Sequence, residues 1–234
     1  MKNGILLLLF VLIIPNVSFA GGMEDDPLLI MLEIDQLEIR SDDNNSSLNW
    51  EVEGWAGKDL HKFWIKAEGE YSDDHLEEME LQALYSRAIL PFWDVQLGWR
   101  RDIHPSPERD WLAIGLKGLA PYYFDIDAAL FIGDSGRTAA RFQAEYEVML
   151  TQRLILVPEI ELNLYGKDDP ATGIGSGLSS IEAGLRLRYE FRREFAPYIG
   201  VNWTHLYGQT ADYANEEGED RDNFQFVVGL HAWF

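Results

Sequence analysis

Beyond about residue 28, nearly every segment of this chain alternates apolar and polar residues with period two. Such alternation marks a β-strand with two different faces, because successive side chains point to opposite sides. In the last segment Phe224, Phe226, Val228, Leu230, Ala232 and Phe234 share one face, opposite Asn223, Gln225, Gly229 and His231. Residues 138–150 set Ala140, Phe142, Ala144 and Val148 against Arg141, Gln143, Glu145 and Met149. A helical period of 3.6 would scatter both sets around the axis.

Twelve segments of this kind run at roughly 28–39, 48–57, 62–71, 77–86, 92–101, 110–118, 122–132, 138–150, 153–165, 179–190, 195–207 and 223–234. The alternation of the first slips near Gln36-Leu37. Most approach the 9–11 residues that a tilted strand needs to cross a bilayer. Connector lengths form an independent pattern. Lys58–His61, Arg87–Pro91, Leu119–Pro121, Thr151-Gln152 and Phe191–Glu194 are short, whereas Ser41–Ser47, Asp102–Arg109, Lys167–Leu178 and Gly208–Asp222 are longer and carry Asp, Asn and Gly. An even strand count with short periplasmic turns and longer extracellular loops describes an antiparallel up-and-down transmembrane β-barrel. A soluble β-sandwich or lipocalin-like barrel also alternates, with its apolar face inside. Twelve long two-faced strands and a chain end on Phe234 favour the membrane form.

The expected organisation has three parts. Residues 1–20 read as a secretory signal peptide: Lys2, an apolar run from Ile5 to Ile14, Pro15, and Ser18-Phe19-Ala20 before Gly21. That run is too short for a spanning helix, which needs roughly 20 residues. Residues 21–27 form a short periplasmic segment, and 28–234 the barrel. The expected location is the outer membrane of a Gram-negative bacterium, after Sec-type export.

The barrel reading accounts for a formal net charge of −21 in a chain with 8 Trp, 10 Tyr and 12 Phe. In a membrane barrel the apolar face meets lipid and the polar face lines the lumen. The lumen phase carries Glu68, Glu80, Asp125, Asp127, Glu145, Glu159 and Glu161 among many acids, against Lys66, Arg100, Lys117, Arg141, Arg186 and Arg188. An acid excess in a narrow lumen concentrates cations. For any single carboxylate, structural filling of the lumen is the leading role. The charge also excludes nucleic acid as a partner, since phosphate binding needs a basic stripe. The absence of Cys excludes disulfides and thiolate metal ligation.

Several runs resemble the outer-membrane copper resistance protein B family. They are Leu84-Tyr85-Ser86-Arg87, Gly118-Leu119-Ala120-Pro121, Leu150-Thr151-Gln152-Arg153-Leu154, Gly184 to Glu190, Arg193 to Val201, and the end through Gly208, Thr210-Ala211 and Trp233-Phe234. The resemblance implies a copper-binding outer-membrane barrel that exports or sequesters copper ions, Cu(I) or Cu(II), alongside a periplasmic multicopper oxidase. It implies no enzymatic activity of the barrel itself. Longer members carry a Met- and His-rich segment before the barrel. Here Gly21–Pro27 holds Met23 and no His, so a copper site is expected among barrel or loop residues.

Of the five His, no two share a strand at ligand spacing. Closure of the barrel pairs the first strand with the last. That is expected to set Met31 opposite His231, with Met149 in the lumen at the same end. Thioether and imidazole together suit Cu(I). Two enzyme arrangements and a plain pore are the alternatives. His104-Pro105-Ser106 has the spacing of barrel phospholipases, but two prolines, Pro105 and Pro107, place it in a loop. Asp73 and His75 have the residue types of barrel proteases, without a second acid pair at the rim. A cation-preferring porin shares every feature except the resemblance.

Overall fold

The structure is a computed structural model that describes residues 26–42, 45–72 and 75–234. The expected signal peptide and Asp73 lie outside the described residues. The strands are β1 (Leu29–Ser41), β2 (Ser46–Gly57), β3 (His61–Ser72), β4 (His75–Leu90), β5 (Trp93–His104), β6 (Arg109–Ala120), β7 (Phe124–Gly133), β8 (Thr138–Glu145), β9 (Val148–Met149), β10 (Leu154–Tyr165), β11 (Gly177–Tyr189), β12 (Phe195–Leu206) and β13 (Asp222–Trp233). β8 and β9 both pair with β10 and act as one interrupted stave, so the wall has twelve. Each stave is antiparallel to its neighbours, and β1 pairs with β13 from Glu33–Trp233 to Ser41–Phe226, closing the barrel. Closure leaves no open sheet edge, which a spanning sheet requires.

Side-chain exposure shows which face is which. Ile39, Phe63, Leu130, Ile199, Phe226 and Val228 are exposed on the outside, each by more than half. Glu38, Gln96, Arg186 and Asn202 are nearly inaccessible inside. A soluble barrel would show the reverse. The apolar outer band is therefore the lipid face. Not every aromatic points outward: Trp64, Trp111 and Phe131 form a buried cluster with Leu84, Ala113 and Ala139. Their strand positions share the lumen phase, so part of the lumen filling is apolar.

The strands run further than the alternation alone indicates, notably β4 and β5, which shortens the connections. Two connections at one end remain long, 166–176 and 207–221. We call this the loop end and the opposite one, with the short connections, the turn end. The expected loop Gly208–Asp222 contains a helix, α1 (Gly208–Glu217), stopped by Gly218 in the left-handed region at φ 88°. Glycine tolerates that conformation without a Cβ clash. Among the described residues no helix is long and apolar enough to cross a membrane.

Strand β1 explains the slip at Gln36-Leu37. A bulge lies between Ile34 and Leu37 in its pairing with β13, and between Ile34 and Gln36 in its pairing with β2. A bulge inserts one residue and reverses the facing beyond it. Before it, Glu33 and Asp35 face the lumen; after it, Gln36, Glu38 and Arg40 do, while Leu37 and Ile39 turn outward.

Candidate metal centre

Ionic side chains from strands that are not neighbours meet across the lumen. Lys66 on β3 reaches Asp127 on β7 at 2.5 Å and lies 3.8 Å from Glu53. Lys117 on β6 bonds Glu53 on β2 at 2.8 Å. Arg141 on β8 bonds Glu68 on β3 at 2.7 Å and Glu80 on β4 at 2.8 Å, and lies 3.7 Å from Glu161. Arg186 on β11 grips Glu38 on β1 and Glu159 on β10. The hydroxyl of Tyr198 donates to Glu38 at 2.8 Å. Arg40 adds bonds to Glu38 and Glu182, both at 2.7 Å. The Arg100 guanidinium lies 4.4 Å from the centre of the Phe131 ring, and Lys117 Nζ 5.1 Å from that of Trp64. These contacts fill the middle of the barrel. Toward the loop end they leave a cavity of about 710 Å³, lined by Glu51, Glu70, Glu78, Glu182 and others, including Thr210 and Tyr213 of α1.

The acids expected on the lumen phase divide by environment. Glu68, Glu80, Asp127, Glu159 and Glu161 are engaged by Lys or Arg as described. Asp125 is exposed near the turn end. Glu145 lies opposite both Asp125 and Glu159 in the strand registers. Among the described residues Glu145 makes no ion pair within 4 Å. Glu38 and Arg40 escaped the sequence reading, although the slip in alternation at Gln36-Leu37 was the signal that would have placed them inside.

His231 is nine-tenths buried at the turn end. Its Nδ1 lies 3.3 Å from both the carbonyl oxygen and Oδ1 of Asp35, and its Nε2 lies 3.7 Å from Glu33 Oε1. Among the described residues Glu33, Asp35 and His231 are the one group of three in which such donor atoms converge, all within 4.8 Å of one another. The pairing differs from the expected one. Ile34 is opposite Ala232, which sets His231 against the bulge at Asp35 instead of against Met31. The reason is the end of the chain: Leu32 and Phe234 exchange backbone hydrogen bonds, so Met31 lies past the last strand and pairs with Trp55 on the other side. Met149 is opposite Ile155 and is mostly exposed at the turn end. The structure thus brings His231 to two carboxylates and to neither thioether. Next to the group, Arg188 lies 3.8 Å from Asp35 and 3.3 Å from Glu147.

The remaining His serve the rims. His61 bonds the Tyr85 hydroxyl, and His205 bonds Asp222 at 2.5 Å. His104 ends β5, with Pro105 and Ser106 beyond the strand, as the two prolines require.

A closed, lipid-facing barrel with a polar, bridged lumen defines a porin-like outer-membrane β-barrel protein. Two solved porins share this fold. The NanC porin has a TM-score of 0.57 at 11% identity, covering 86% of this chain and 98% of that one. The KdgM porin has a TM-score of 0.53 at 10% identity, covering 87% and 99%. The chain belongs to the copper resistance protein B family: it matches the family described as Copper resistance protein B precursor over residues 28–234. Copper resistance protein B of Escherichia coli is 44% identical over 213 residues, which are 91% of this chain and 72% of that protein. A Copper resistance protein B homolog of Pseudomonas syringae pv. tomato is 48% identical over 200 residues, 86% and 68% respectively.

Proposed function

We propose that this protein is a non-enzymatic outer-membrane barrel that binds copper ions in its lumen and so exports or sequesters them, contributing to copper resistance. The observation that carries this reading is the lumen itself, rich in carboxylates yet crossed by Lys66–Asp127, Lys117–Glu53 and Arg141–Glu68. A bridged lumen suits capture of a small cation better than passage of bulk solute, and its acid excess excludes anions. Family membership supplies the identity of the cation. The family resemblance also supports a periplasmic multicopper oxidase as partner and residence in a Gram-negative outer membrane. A deletion strain tests the function: copper tolerance should fall and cell-associated copper should change. Normal tolerance would discard the copper-resistance role.

The fold shared with porins favours one second reading, a cation-preferring pore without a specific metal site. Planar-bilayer recordings separate the two. Open, non-saturating cation currents from a barrel that binds no copper would select the pore.

A further inference from the structure

We propose that Glu33, Asp35 and His231 form a binding site for one divalent borderline cation of the Cu(II) class, with Arg188 as the internal counter-ion that the metal displaces from Asp35. This deepens the copper-handling reading and rests on it.

The geometry of His231 carries the argument. A carbonyl oxygen only accepts, so the contact of Nδ1 with the Asp35 carbonyl at 3.3 Å makes Nδ1 the protonated nitrogen. Nε2, the nitrogen left for a ligand, faces Glu33 Oε1 at 3.7 Å. At that distance the two atoms make no direct hydrogen bond and leave room for a cation between them. An N–H held by a backbone carbonyl is also how metal-bound imidazoles are oriented, with the other nitrogen left for the ion. The Asp35 carboxylate Oδ1 lies 3.3 Å from Nδ1, beside the ring, and one donor atom from each of the three residues lies within 4.8 Å of the others.

The donor set decides the class of ion. One imidazole and two carboxylates are nitrogen and oxygen ligands, which suit Cu(II) and Zn(II), whereas Cu(I) selects thioether and thiolate. Met31 and Met149 are not part of the group, and the chain has no Cys. Among first-row divalent ions such a site binds Cu(II) most tightly.

Arg188 is the second, independent observation. Its side chain is buried, and its Nε has no hydrogen-bond partner. It lies between Asp35, at 3.8 Å, and the more exposed Glu147, at 3.3 Å. A buried guanidinium normally satisfies its donors. Arg188 instead has a loose contact with the proposed ligand and a closer one with an acid that is not a ligand. A cation bound to Asp35 would repel Arg188 toward Glu147, where an acceptor already stands. The bulge that turns both Asp35 and Gln36 inward completes the design, since bulges re-aim side chains at sites.

The test uses the purified full-length barrel in detergent, titrated with Cu(II) and followed by calorimetry and electron paramagnetic resonance. The expected result is a single tight Cu(II) with hyperfine coupling to one imidazole nitrogen. His231→Ala should abolish that signal. Glu33→Gln, nearly the same shape, should weaken binding about 10- to 100-fold. Arg188→Gln should strengthen it by about tenfold, because a like charge within about 4–6 Å opposes the cation. Heat-modifiable migration on a gel verifies that each variant is folded. If wild type binds Cu(II) and folded His231→Ala and Glu33→Gln bind it equally well, the site is wrong while the copper-handling reading stands. If Arg188→Gln leaves affinity unchanged, the counter-ion role is wrong. If wild type binds no Cu(II), His231 merely holds a proton between carboxylates and the site falls. The copper-handling reading falls with it only when the deletion strain also keeps normal copper tolerance.

Discussion

Arg186 and Glu38 stand 148 residues apart in the chain and meet inside the barrel through two parallel bonds, Nε to Oε2 and Nη2 to Oε1, each 2.9 Å. Both side chains are nearly inaccessible. Gln36, Glu159 and Tyr198 complete the cluster around them. Removing one member of a buried, bonded charge pair costs about 3–5 kcal/mol when the other is left uncompensated, and Arg186 keeps Glu159 at 2.5 Å, which sets the lower end here. Glu38→Ala should therefore lower stability by about that amount, read as a urea midpoint shift in lipid vesicles. A shift under about 1 kcal/mol, the scale of exposed pairs, would show that water already screens the cluster.

Gly229 makes room for this cluster. A Cβ there would stand 2.5 Å from Tyr198 Cζ and 2.7 Å from the Glu38 Cβ. Gly229→Ala should push the phenol off Glu38 and cost about 1–3 kcal/mol, the usual range for overpacking. Tyr198→Phe in the same background should recover only part of the loss, since the hydroxyl contact at 2.6 Å goes while those of the ring carbon at 2.5 Å and the Glu38 Cβ at 2.7 Å stay. Full recovery would refute a clash with the ring and with Glu38.

The cross-lumen pairs should also set conductance. Lys66→Ala with Arg141→Ala removes contacts to Asp127, Glu53, Glu68, Glu80 and Glu161 and leaves those acids lining a wider path. Single-channel conductance in planar bilayers should rise, with stronger preference for K⁺ over Cl⁻ because fixed negative charge increases. Equal conductance in wild type and the double variant would mean that these pairs do not obstruct the lumen.

At the loop end, the connection 166–176 depends on two ionised carboxylates. The Arg109 guanidinium bonds Asp169 at 2.8 Å and holds its carboxyl below the usual range; the backbone N–H of Ser176 does the same for Asp168 at 2.6 Å. Depressed folded values mean stabilisation that is complete above the ordinary carboxylate pKa of about 4 and disappears as pH falls through the lower folded values. Hydrogen-exchange protection of 166–176, corrected for intrinsic rates, should hold from pH 7 to about 5 and fall below about 4. Arg109→Ala should lower that protection already at pH 7. Protection that is flat across the acid range would discard the ionic tether.

Much of the barrel is legible from local pattern. The twelve alternating segments map onto the twelve staves, and the slip at Gln36-Leu37 marks the bulge of β1. The break of the eighth stave at Tyr146-Glu147 was not legible, because both residues continue the alternation. Helix α1 was hidden in a segment whose Asp, Asn and Gly content reads as loop. His231 was legible as a lumen residue near the first strand, but its partners were not. Counting back from two strand ends assumes flush pairing, whereas Phe234 in fact bonds to Leu32 and sets the register four residues away from Met31.

Alternation is a property of neighbours in the chain, and it alone dictates which side of each strand is apolar. Together with twelve long segments and the short and long connections it points to a barrel with lipid outside and acids inside, since in a bilayer only a closed sheet satisfies every backbone bond. What lies across the lumen from what is a different matter. Lys66 and Asp127 are 61 residues apart, and Gln36 and Glu159 are 123 apart. Their meeting depends on closure, on register and on one bulge, each of which moves a side chain by several ångströms or turns it to the other face. The convergence of Glu33, Asp35 and His231 exists only once β1 and β13 are joined, which is why the tertiary structure, and not the pattern, brought these three donor groups together out of a lumen full of acid.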